Sequence, residues 1–292
     1  MTTEPQESLG SAPPPLREET PAFGLLGRLY FALFQKHWDA INREAAAERS
    51  AFRAGREQRF DSRPLWVLIV ASLILVFQEY YGDRPTFDLV FPHATPEWGT
   101  LGEFAWWTGS KFVGYFVVPA MVLRLAGFRL RDVGLSTVGF FKHLWIYLVL
   151  FLAILPVIVI ASYTAPFQHT YPFYKLCARS WTDFFAWEAM YGLSFLALEF
   201  FFRGFLLFAL RRTFGAYAIF VMVVPYCMIH FHKPVLEVTG AIFAGIILGT
   251  LAMRTRSIWS GVLIHLSVAW TMDLLALSHT TGFPGSGRFI GP

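Results

Sequence analysis

"LEFFFRG", Leu198 to Gly204, sets a glutamate and an arginine four residues apart in a run that is otherwise aromatic and aliphatic. At the centre of a membrane helix each such charge costs roughly 2.5–3.5 kcal/mol on the insertion scale, so the pair persists for a structural or a chemical reason. The surrounding chain shows that a membrane is the right setting. Of 292 residues 55% are hydrophobic and only 15% charged, with 31 Phe and 10 Trp, which excludes an ordinary soluble domain of this length. Seven apolar segments run at about 65–81, 104–126, 143–165, 184–210, 214–231, 235–253 and 257–278. Each approaches the roughly 20 residues a helix needs to cross the hydrocarbon core. Their continuity argues against a β-barrel, which needs short alternating segments. The expected fold is all-α: a polytopic transmembrane bundle of about seven spanning helices with a cytoplasmic N-terminal amphipathic arm.

The net charge of +4 could suggest an acidic partner, but the placement of the 24 Lys and Arg residues is topological. With the N-terminus inside, seventeen fall on the cytoplasmic side: those before residue 64, those of the 124–142 loop, and Arg211, Arg212, Arg254 and Arg256. Five fall outside, and Lys111 and Arg203 lie in the membrane. That positive-inside bias puts the N-terminus in the cytoplasm and the C-terminus outside. The expected location is a bacterial cytoplasmic (inner) membrane.

Residues 1–22 are Pro- and Glu-rich, are expected to be disordered and do not read as a signal peptide. Residues 23–63 read as an interfacial helix followed by a solvated helical arm whose Arg residues face anionic lipid, with no nucleic-acid partner. Residues 64–280 form the transmembrane domain, and 281–292 a flexible Gly/Pro-rich tail. Cys177 and Cys227 have no metal-type spacing, and no internal repeat is evident.

Polar residues inside such helices are functional candidates by default. Glu199 and Arg203 are one turn apart and share a face, so they pair either as a clamp or as part of a reaction centre. His230 and His265 each lie in an apolar segment. A lone buried histidine is usually a hydrogen-bonded core residue, whereas two histidines and a carboxylate can converge on one water or one metal ion. Pro225 and Pro234 bracket the His230–His232 region, favouring irregular backbone that lines a cavity.

"ALEFFFRG", "YCMIH" and "IHLSVA" together resemble the three membrane motifs of the CAAX prenyl protease and bacteriocin-processing family of intramembrane endopeptidases: EExxxR, aromatic-xxx-H, and HxxxN or HxxxD. The resemblance spans about Glu188 to Leu277, with a family-like core at about 184–278. It implies a helical bundle enclosing a cavity, in which a glutamate and a histidine activate water while other polar residues stabilise the oxyanion. Position by position it assigns Glu199, Arg203, Tyr226, His230 and His265. Leu198 stands where the family has its first, water-activating glutamate, and Ala269 where it has the oxyanion-side Asn or Asp.

Two readings follow. In one, Glu199 or Glu237, seven residues beyond His230, serves with His230 as the base, and His265 with Ser267 faces the oxyanion, while Tyr226, His232 and Asp273 line or support the site. The partners are then membrane lipid and a membrane-anchored protein or peptide substrate. In the other, hydrolysis is lost and the bundle binds a substrate or acts as a scaffold. Zinc held by His230, His265 and Glu199 satisfies a catalytic ligand count. Haem between His230 and His265 is disfavoured, because counting from the cytoplasmic ends places them at depths of about 24 and 12 Å.

Overall fold

The computed structural model describes residues 24–54, 61–92, 96–138 and 140–286; the tail expected to be disordered, 1–22, lies outside them, as do the last residues of the C-terminal tail. Among the described residues every regular element is a helix. The long ones are α1 (25–53), α2 (Arg63–Tyr80), α4 (96–125), α5 (Phe140–Ser162), α7 (Trp181–Phe214), α9 (Val235–Thr255) and α10 (Trp259–His279). Shorter ones are α3 (Pro85–Val90), α6 (Ala165–Thr170) and α8 (Tyr217–Met228). Each apolar segment read from the sequence coincides with a helix. Five of them, α2, α5, α7, α9 and α10, are long and apolar enough to cross a membrane, and the chain is a multi-pass membrane protein. α4 is not among these five, and α8 has only 12 residues.

The bundle is built around α7. This 34-residue helix is 83% buried over its apolar window, against 11% for the lipid-facing α5. Its first turn is fixed locally: Ser180 caps the helix by accepting from the Asp183 amide at 3.1 Å, and Asp183 is gripped by Arg179 at 2.8 and 2.9 Å and by the Tyr174 hydroxyl at 2.9 Å. At the other end Gly215 takes a positive φ of 58° with ψ −133°, a conformation that glycine alone adopts readily, and the helix stops there. The middle, Phe200–Phe208, winds as a π-helix and is buried throughout. Around this pillar α10 packs on α5, α8 on α9, and α4 on α7.

The arm is less solvated than its sequence suggested. Ile41 and Ala45 are fully buried, Trp38 donates to Thr250 Oγ1 at 3.0 Å, and the Asn42 side chain accepts from the Ala216 amide at 2.8 Å. Glu44 and Glu48 reach Arg211 at 2.6 and 3.1 Å, and both also meet Arg256 at 3.3 Å. It is the acidic face of the arm that engages the protein, while Arg43 and Arg53 stay exposed. The N-terminal turns expose Leu25, Leu26 and Leu33 to the surroundings.

Candidate functional site

Where α7, α8 and α10 meet, the fold gathers four of the residues singled out from the sequence. Glu199 and Arg203 are fully buried, with Arg203 Nη1 3.0 Å from Glu199 Oε1. The same oxygen lies 2.6 Å from His265 Nδ1 on α10. His265 Nε2 is 2.9 Å from the Tyr226 hydroxyl on α8, and the Arg203 guanidinium carbon lies 4.3 Å from the centre of the Tyr226 ring. These contacts are close, and both run to Oε1; the second carboxylate oxygen of Glu199 is the nearest partner of neither Arg203 nor His265. The centre is therefore a neutralising cluster with polar directions to spare, in a region where an uncompensated charge would be very costly.

A glycine makes the cluster possible. Gly261 lies one turn before His265 on α10, and a Cβ there would sit 2.7 Å from Glu199 Cδ. Without a side chain the α10 backbone comes close enough for His265 to touch the carboxylate, and Phe195 stacks on the imidazole with 5.3 Å between ring centres. The "SGVLIH" spacing was the available sequence signal for this approach.

His230 joins the cluster only through Tyr226. α8 ends at Met228, and His230 lies in the turn that leads to Pro234 and α9. Its Nδ1 is 2.7 Å from the Tyr226 carbonyl, and its ring centre is 4.9 Å from that of Tyr226. A carbonyl only accepts, so Nδ1 carries the hydrogen and Nε2 is the basic nitrogen. Glu199 thus meets His265 rather than His230.

The other candidates lie apart. Glu237, in the first turn of α9, pairs with Lys233 and accepts from the Tyr171 hydroxyl. Asp273 is buried on α10 and accepts from Trp187 Nε1 at 2.7 Å. His232 is 90% exposed, 3.8 Å from Glu79. Ser267 is half-buried, and its carbonyl accepts from Thr271. Leu198 is buried in the main apolar core, and Ala269 packs in an aromatic cluster with Trp187 and Tyr191.

Metal and haem fit poorly here. Among the described residues no three His, Cys, Asp or Glu side chains converge as ligands, so the trio His230, His265 and Glu199 is not assembled. Both ring nitrogens of His265 already face Glu199 and Tyr226, so a metal or a haem iron would have to displace one of these contacts.

Residues 180–271 match the family model described as type II CAAX prenyl endopeptidase Rce1-like, the family that the three motifs resemble. The matched segment contains all of α7, α8 and α9 and the N-terminal part of α10 that bears His265. No curated protein and no solved structure matches the chain.

Proposed function

Since residues 180–271 are Rce1-like, we propose that the chain is an intramembrane endopeptidase of the CAAX-protease type, hydrolysing a peptide bond in a membrane-associated protein or peptide. The observation that carries this reading is the buried Glu199–Arg203–His265–Tyr226 cluster beside a histidine whose basic nitrogen is defined. His230 Nε2 takes a proton from water, the resulting hydroxide adds to the carbonyl carbon, and the imidazolium returns that proton to the departing amine. Glu237, seven residues beyond His230 and turned toward Lys233 and Tyr171 in the resting structure, is the carboxylate assigned to assist it. Glu199, held between Arg203 and His265, balances charge on the side where the oxyanion forms.

The proposal extends to topology: seven spans including α4 and α8, the N-terminus and arm in the cytoplasm, and a bacterial inner membrane as the setting. The Arg and Lys distribution supports that orientation. A second reading, a substrate-binding or scaffold protein without hydrolysis, is favoured by two apolar residues, Leu198 and Ala269, at the positions where the resembling family carries polar catalytic groups.

The test is cleavage of a library of membrane-anchored peptides by the reconstituted chain and by His230→Ala, Glu199→Gln and Glu237→Gln. Cleavage abolished by His230→Ala and by Glu237→Gln supports the assignment. Cleavage that survives His230→Ala overturns the mechanism, and a folded wild type that cleaves nothing turns the reading toward the scaffold.

A further inference from the structure

We infer that the Tyr226 hydroxyl is the hydrogen-bond donor to the oxyanion, oriented by His265; this rests on the endopeptidase reading. A donor is needed because the α10 position one turn beyond His265 is Ala269, 3% exposed and enclosed by aromatic side chains. Ser267, two residues beyond His265, points about 200° away around the helix from it. His265 cannot serve directly, since Nδ1 faces Glu199 at 2.6 Å and Nε2 faces Tyr226 at 2.9 Å.

The chain of contacts Glu199–His265–Tyr226 ends at the phenol. When Nε2–H donates to the phenol oxygen, the phenol's own O–H is released to point at a reacting carbonyl. The ring that carries it is held firmly: Tyr226 is 1% exposed, Arg203 lies over its face, and Phe202 meets it edge-on at 5.2 Å between centres. One turn further along the chain is His230, so the water-activating base and the oxyanion donor occupy consecutive turns. Glu199 and Arg203 offset each other's charge, so the donor is presented from a cluster whose carboxylate is already compensated when the oxygen becomes negative. No covalent step is involved, and the proton stays on Tyr226 throughout.

Tyr226→Phe tests this in the reconstituted full chain, because it keeps the ring and its contact with Arg203 and removes only the hydroxyl. The expected result is a kcat about 10²-fold to 10³-fold lower with KM changed little, the signature of a lost oxyanion donor. In ¹⁵N spectra of histidine-labelled wild type, Nε2 of His265 is expected to carry a hydrogen, and its signal is expected to shift in Tyr226→Phe. A kcat within about threefold of wild type, a change confined to KM, or an unprotonated Nε2 overturns the donor role. When wild type cleaves, His230→Ala does not and Tyr226→Phe does, the donor assignment alone fails. A wild type that cleaves nothing overturns the endopeptidase reading and the donor role with it.

Discussion

Replacing Gly261 by alanine tests the geometry of the buried cluster with a single methyl group. The new Cβ would lie 2.7 Å from Glu199 Cδ and 3.3 Å from its Oε1. The carboxylate has nowhere to retreat: it is fully buried and fixed from two sides by Arg203 and His265. Either the carboxylate or the α10 backbone must give way, and overpacking of this kind costs about 1–3 kcal/mol. Against that stands a helix-propensity gain of up to about 1 kcal/mol for Gly to Ala. Gly240 on α9 supplies the control, because a Cβ there meets nothing within 4 Å, so Gly240→Ala keeps the propensity gain and incurs no clash. The two variants share the same chemistry and are expected to change stability in opposite directions, by a difference of about 1–3 kcal/mol. Thermal unfolding in detergent reads this as a lower midpoint for Gly261→Ala and an equal or higher one for Gly240→Ala. Equal stability of the two variants would refute the close approach of α10 to Glu199, and with it the contact between His265 and the carboxylate.

Two further outcomes concern the cytoplasmic face. Removing both carboxylates that meet the buried Arg211, as Glu44→Gln with Glu48→Gln, is expected to cost more than the roughly 1 kcal/mol of an exposed pair and up to the 3–5 kcal/mol of a broken buried one. It should also open α1 to trypsin after Arg49 and Arg53, whereas Arg256→Gln, at a side chain 51% exposed, should do neither. Asp61 carries the pH dependence of its contact with Arg212. Partial burial pushes its carboxyl upward, but the hydrogen bond and charge of Arg212, aided by Arg63, outweigh this and hold it below its ordinary 3.8. The folded pKa being depressed, the stabilisation is fully present above the ordinary value and is lost as pH falls through the folded one. Unfolding midpoints of wild type and Asp61→Asn, compared from pH 7 down to about 3, should differ by a constant amount above about pH 4 and converge below it.

The sequence made the helices legible because lipid removes alternatives: an apolar run has to satisfy its own backbone, and seven such runs became seven helices. It also marked Glu199, Arg203 and His265, since ionisable groups in such runs are few, while Tyr226 came only from the resemblance of the motifs. What it could not supply was which polar groups meet. Periodicity places Glu199 and Arg203 on one face of α7, but pairing the carboxylate with His265 rather than His230 depends on how closely α10 approaches, and that is set by the missing side chain at Gly261. The docking of the arm was hidden for a related reason: it is carried by Glu44 and Glu48, whose partner Arg211 lies more than 160 residues away and whose complementarity no local pattern reveals.

The brevity of α8 has a consequence for the membrane itself. Twelve residues rise only about 18 Å, while a hydrocarbon core is about 30 Å thick. On the seven-span reading, the bilayer beside this helix has to thin, or water has to descend, until the turn that bears His230 meets an aqueous boundary. A hydrolytic centre needs water where lipid would otherwise exclude it, and hydrophobic mismatch would deliver that water without a channel through the bundle. Acyl-chain length then becomes a control on the reaction, with thicker bilayers burying the His230 turn and thinner ones wetting it.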